Sequence, residues 1–267
     1  MINSNKLKIP FDTSYYLKNA MEKVENFNLL FNKYIEFNKK SEVEKKRIPE
    51  AKKEFFDSCI QFTRKQKYII DKYKLQGYEV ATYEFRPYDK IVVGLGQESV
   101  REVSMTLHWI YGIPYIPGQA IKGVISNWIK FRDEENSNDD NFKKIFGTEG
   151  EKGKVIFMDS YLVNDDFYLK QDIMNPHYFE YYSQSKNPSA PSDWQNPKPI
   201  FFLIVENAIF HISLIFLEKE TKDLKIANKT MEEWMIEAFR YGGIGAKTSL
   251  GYGTGELTLI RENERNA

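Results

Sequence analysis

The chain has almost nothing to offer redox or metal chemistry. Cys59 is its only cysteine, so no internal disulfide can form, and three scattered histidines give no zinc-finger spacing. It also lacks net charge, because 38 Lys/Arg balance 38 Asp/Glu. A protein that engulfs nucleic acid without regard to sequence is usually basic overall, so any such contact here must be local. Long apolar runs are missing as well. The longest, residues 200–205, is far short of the ~20 residues of a membrane-spanning helix. The opening MINSNKLKIPFD carries neither the apolar stretch nor the cleavage site of a secretory signal. These absences together predict a cytoplasmic protein without membrane contact, metal or cofactor.

What is present supports a folded chain. Hydrophobic residues make up 42% and charged residues 28%, and the 17 Tyr and 19 Phe can fill a sizeable core. The charge is polarised along the chain. Residues 1–79 hold 17 Lys/Arg against 11 Asp/Glu, whereas residues 133–140 hold five acids and no base.

Residues 1–77 read as helical. Asp12 or Thr13 can cap a first helix whose apolar positions include Tyr16, Leu17, Met21, Val24, Phe27, Leu30, Phe31, Tyr34 and Ile35, near the 3.6-residue period. Beyond the charged KKSEVEKKR, a second helix carries Phe55, Phe56, Cys59, Ile60, Phe62, Tyr68, Ile69 and Tyr73, and Gly77 ends it. From residue 78 the pattern changes. Segments 78–85, 91–93 and 100–107 read as strands. Residues 119–131 read as a helix with Ile121, Val124, Ile125, Trp128 and Ile129 on one face, and 154–163 as a strand after an acidic loop. Residues 164–199 read as a long irregular insertion, and such loops usually carry function. Strands follow at 200–205 and 208–217, with Glu206-Asn207 as a hairpin turn. Thr230 and Glu233 form a capping box for a helix to Arg240, and a last strand occupies 256–260. The order predicts an α+β protein. Its core is a ferredoxin-like (RRM-like) split βαβ domain over residues 78–267, with a helical extension at 1–77 and the insertion before the third core strand. That superfold hosts many activities, so order alone names none.

The segment most suited to chemistry is GGIGAKTSLGYGTG at 242–255, with six of the chain's 15 glycines. Glycines let a backbone approach a ligand closely, and successive N–H groups can form a nest for an anion. Lys247 adds charge, Thr248 and Ser249 add hydroxyls, and no acid intervenes before Glu256. A helix cap needs only Gly242 and Gly243. A nucleotide-binding P-loop needs a strand before and a helix after it, with glycine directly before the lysine. Here Ala246 precedes Lys247 and the order is helix, loop, strand. A cradle for a phosphate backbone is the reading that uses all of the segment.

Placed between the last helix and last strand, GIGAKTSLGYG resembles the glycine-rich loop of the RAMP superfamily of CRISPR proteins. The stretches at 26–35 (NFNLLFNKYI), 92–123 (VVGLGQESVREVSMTLHWIYGIPYIPGQAIKG), 145–148 (IFGT), 153–162 (GKVIFMDSYL), 173–182 (IMNPHYFEYY) and 193–205 (DWQNPKPIFFLIV) resemble the sixth-subunit family of type III-B (Cmr) effector complexes. The resemblance spans nearly the whole chain. It departs from that family at Val103-Ser104, where Thr-Gly is commoner, and at Gln119-Ala120, where Ser-Ser is usual, so the helix start loses two hydroxyls. It implies the RAMP fold and a non-catalytic backbone subunit that binds guide RNA (crRNA) and caps the filament near the crRNA 3′ end. Its implied partners are neighbouring RAMP backbone subunits, the small helical subunit and, by proximity, target RNA.

The residues expected to touch RNA are Gly243, Gly245, Lys247, Thr248, Ser249 and Tyr252 in the loop, Gly118, Gln119 and Lys122 at a helix start, and His108. A helix N-terminus presents free N–H groups to anions, and Lys122 lies one turn in. His108, between a strand and that helix, is placed to line the groove. It also raises the alternative of an endoribonuclease processing precursor crRNA, although no pairing with His177 or His211 is visible. Asp159, Asp165 and Asp166 read as solvated rather than metal-binding, and no catalytic residue is expected. Tyr178, Phe179, Tyr181, Tyr182 and Trp194 suit stacking on bases or docking on a neighbouring subunit.

Overall fold

The computed structural model describes residues 9–10, 13, 15, 24–35, 37, 48–51, 53–56, 59–101, 103–182, 190–194 and 196–261. The cap expected at Asp12, the positions Tyr16, Leu17 and Met21, and KKSEVEKKR lie outside these residues.

Alternation along extended backbone sends successive side chains to opposite faces, and β1 (Glu79–Pro87) obeys it. Ala81, Tyr83 and Phe85 are buried in the core, and Thr82 and Glu84 face the other way. In β8 (Phe210–Phe216), Phe210, Ile212, Leu214 and Phe216 make the matching core row. The main sheet also contains β3 (Tyr115–Ile116), β4 (Val155–Phe157), β5 (Ser160–Leu162) and β11 (Gly255–Leu259). Its order is β11-β1-β8-β5-β3, with β4 also on β8, and every neighbouring pair is antiparallel. Two helices cross one face. In α2 (Gly118–Arg132), Ile121, Ile125 and Ile129 are fully buried at four-residue spacing. Each such side chain contributes roughly 1.5–3 kcal/mol, which explains why this stripe docks. The second helix is numbered α4 (Met231–Glu237), after α1 (Cys59–Leu75) and α3 (Asp140–Phe146). Both halves of its Thr230–Glu233 capping box form, and Phe239 just beyond it meets the Phe85 ring edge-on at 4.7 Å. The strand–helix order and antiparallel sheet are the α+β split βαβ arrangement expected from the sequence.

The structure corrects several local readings. The acidic stretch is not only a loop: Asp139 accepts from the N–H groups of Asn141 and Phe142 and so caps α3. Residues 100–107 alternate like a strand, yet their described residues form none. Ser104 and Thr106 donate back to Leu95 and Val93, and only Leu107 bridges, to Pro114. Ser104 and Thr106 are buried like the apolar residues between them, so the alternation does not mark one buried and one wet face. The strand read at 154–163 breaks at Met158-Asp159.

The expected hairpin at Glu206-Asn207 is a corner between two sheets. Asn207 takes φ 53°, and its side chain is bonded to Asp166. β7 (Ile200–Glu206) pairs not with β8 but with β2 (Lys90–Ile91) and β6 (Tyr168–Met174). The segment read as irregular therefore opens with a regular strand, and a helical turn at Phe179–Tyr182 follows. A small hairpin, β9 (Lys225–Ile226) and β10 (Lys229–Thr230), precedes α4.

α1 lies on the sheet face opposite α2 and α4. Thr63 donates to the Leu162 carbonyl, and a cleft of about 500 Å³ between helix and sheet is lined by Arg64, Lys67, Glu84, His211 and Thr258.

Candidate nucleic-acid interface

The glycine loop begins where α4 widens into a π-turn, Ala238–Gly242. The chain then passes under a neighbouring backbone. Ile244 donates to the Gly253 carbonyl, Ala246 to Val92 and Gly253 to Lys90, each at 2.8–2.9 Å. Two glycines are required by this approach. A Cβ on Gly245 (φ 98°) would lie 2.2 Å from the Val92 oxygen, and one on Gly253 (φ 65°) 1.9 Å from the Ile244 oxygen. Between them Lys247 itself adopts the left-handed region (φ 62°), and Thr248–Leu250 make one 3-10 turn.

That turn leaves donors open. The N–H groups of Lys247, Thr248 and Ser249 meet no acceptor among the described residues. Ser249 and Gly245 are exposed, and Lys247 and Thr248 are half-buried. The Lys247 ammonium lies 5.3 Å over the Phe202 ring of β7. Gly243 is buried against the Thr248 side chain. Tyr252, expected at the surface, is only 9% exposed, and its hydroxyl donates to Asp172 Oδ2 at 2.7 Å. Lys90 Nζ donates to the same oxygen, also at 2.7 Å. Burial opposes ionisation of Asp172, but the hydrogen bonds from Lys90 and Tyr252 outweigh it and hold the carboxyl below its usual range.

The second expected anion site differs. Gly118 is buried, its N–H donates to Asp159 Oδ1 at 2.8 Å, and a Cβ there would meet the Phe157 carbonyl at 2.0 Å. The reading of a free N–H at this position is corrected: the chain supplies its own carboxylate. Gln119 is exposed and Lys122 half-buried beside it.

His108 sits in a box of Phe62, Tyr111, Tyr115 and Tyr161, with ring centroids 4.9–6.1 Å away. Its Nδ1 accepts from the N–H groups of Ile110 and Tyr111 in its own turn. Burial lowers its pKa, and the charge of Asp159 partly restores it. His177 lies beside Tyr178, and His211 Nε2 is 4.0 Å from Glu84 Oε2, so the three histidines have three separate surroundings. Among the described residues no group of three or more His, Cys, Asp or Glu could hold a metal ion, and no helix is long and apolar enough to cross a membrane.

The RAMP superfamily profile matches residues 89–256, from the segment before β2 to the first residues of β11. The chain belongs to the RAMP superfamily. Two curated relatives place it among the Cmr6-like RAMPs. It is 30% identical to the CRISPR system Cmr subunit Cmr6 of Pyrococcus furiosus, over 82% of this chain and 80% of that one. It is 25% identical to the Cmr6 subunit of Saccharolobus solfataricus, over 79% of this chain and 66% of that one. A chain of the type III-B Cmr-beta complex bound to cognate target RNA shares the fold. The TM-score is 0.59 at 20% identity, covering 75% of this chain and 65% of that one.

Within this RAMP chain, the sequence had not marked Lys90, Asp172 or Phe202 and had read Asp159 only as a solvated acid, yet all four shape the two sites. Asp172 was hidden because neither face of β6 is apolar. Tyr168, Lys170, Asp172 and Met174 share one face, and Leu169, Gln171 and Ile173 the other, so the period-2 signal never rises. The signal available for Asp159 was its place in a strand pattern otherwise made of VIFM and YLV.

Proposed function

We propose that the chain is a non-catalytic, guide-RNA-binding backbone subunit that caps a type III-B CRISPR effector near the crRNA 3′ end, in antiviral defence. The observation that carries this reading is the turn at 247–249. It carries three N–H groups that meet no acceptor among the described residues, two hydroxyls and one ammonium. That is the chemistry of a phosphate cradle. Exposed Trp109 (71%), Tyr182 (72%) and Trp194 (84%) suit docking on neighbouring RAMP and small helical subunits.

The test is binding of labelled guide RNA to the purified chain across a salt series. Lys247→Ala weakens binding by roughly tenfold or less and lowers the salt slope by about one unit. Unchanged affinity and slope remove the cradle from the RNA path.

An endoribonuclease acting on precursor crRNA would need a base and an acid placed together. The separate surroundings of His108, His177 and His211 weigh against it. Site-specific, metal-independent cleavage of repeat RNA that is abolished by His108→Ala would establish the nuclease and overturn the structural role.

A further inference from the structure

The insertion does more than decorate the surface: it grips the glycine loop from one side. Asp172 in β6 and Phe202 in β7 are direct cross-strand partners. Asp172 receives the Tyr252 hydroxyl, and Phe202 lies under both the Tyr252 ring (6.3 Å) and the Lys247 ammonium (5.3 Å). Lys90, whose own carbonyl accepts the Gly253 N–H that pins the loop, completes the clasp. Its Nζ donates to Asp172 and lies 4.9 Å over the Tyr252 ring.

We infer that Asp172 is a positioning residue for RNA binding: it holds Tyr252, and through it the 243–253 loop, in the shape that presents the Lys247–Ser249 donors. This rests on the cradle reading above. Fixing backbone costs conformational entropy, so a loop rich in left-handed positions binds well only if the fold has already ordered it. A carboxylate beside a phosphate site is otherwise unfavourable. Its charge would repel RNA, and here Lys90 matches that charge while Tyr252 uses its second bond. The role therefore has a sign opposite to that of simple electrostatics.

The experiment measures guide-RNA affinity, salt slope, thermal unfolding and amide hydrogen exchange on the full chain. Asp172→Asn removes a negative charge near the loop. Electrostatics alone predicts tighter binding. The positioning role predicts roughly tenfold weaker binding with an unchanged salt slope, and faster exchange at Ala246 and Gly253 in the RNA-free protein. Equal or tighter binding, or unaltered exchange, overturns the inference. If Lys247→Ala weakens binding while Asp172→Asn does not, only the positioning role fails. If neither changes it, the cradle itself fails. Should Asp172→Asn not fold, Tyr252→Phe deletes only the hydroxyl. It is expected to bind a few-fold more weakly with the same exchange signature, and wild-type behaviour there overturns the proposal.

Discussion

At the start of α2 and in the glycine loop the same ingredients meet: a glycine packed against backbone, a tight turn, and a lysine within a few residues. Their electrostatic states are opposite. At Gly118 the N–H already bonds Asp159, so the positive helix end is neutralised from within. In the loop the nearby carboxylate, Asp172, accepts from Lys90 and Tyr252, while the N–H groups of Lys247, Thr248 and Ser249 meet no acceptor among the described residues. What distinguishes an anion site from a helix start is thus not the free N–H count in the sequence. It is whether the chain folds an acid of its own onto those donors.

The largest expected effect tests whether the loop's shape is enforced by its own backbone. Gly253→Ala puts a methyl into the Ile244 carbonyl at a left-handed position, and should cost on the order of 3 kcal/mol or more in thermal or denaturant unfolding. Gly251 has nearly the same need for positive φ (89°) but nothing within 4 Å of its Cβ. Gly251→Ala should therefore cost only about 1–2 kcal/mol. Equal costs would mean that strain alone, and not the close crossing of 244 and 253, shapes the cradle.

A smaller effect tests the capped site. Asp159→Asn weakens the bond to Gly118 and removes charge from the helix end, at about 1 kcal/mol of stability. It should also move His108. Burial lowers that imidazole's pKa and Asp159 raises it, so the variant should titrate lower still, read from imidazole proton shifts. The sign for stability follows. His108 prefers to be neutral when folded, so stability is lost as pH falls below the ordinary imidazole range, and the loss extends to lower pH in the variant. An unchanged or raised His108 midpoint would show that the Asp159 charge does not act on it.

Much of this was legible in the chain. The isoleucine stripe of α2, the capping box of α4 and the strands β1 and β8 each lie where the residue pattern put them. What was hidden depends on partners distant in sequence. Asn207 marks a sheet change and not a hairpin because β7 pairs with residues 26–38 positions earlier in β6 and with β2 far earlier still. Tyr252 reads as a loop aromatic until β6 brings Asp172 to its hydroxyl. Gly118 reads as a free helix end until the break between β4 and β5 delivers Asp159. The loop's own geometry, by contrast, was written in its glycines, because a backbone crossing at 1.9 Å from any Cβ admits no other residue.

The smallest expected effect is the sharpest test of the comparison. Lys122 lies one turn beyond Gly118 and, from sequence, is as good a phosphate contact as Lys247. If Asp159 has already neutralised that helix end, RNA gains little by approaching it. Lys122→Ala should then change guide affinity by no more than about twofold and leave the salt slope within a fraction of a unit, against about one unit for Lys247→Ala. A full unit lost at Lys122 would make the helix start a second cradle, with Asp159 displaced when RNA binds. The double variant separates the two cases. If Asp159 is the block, Lys122→Ala should acquire its missing unit of slope only in the Asp159→Asn background.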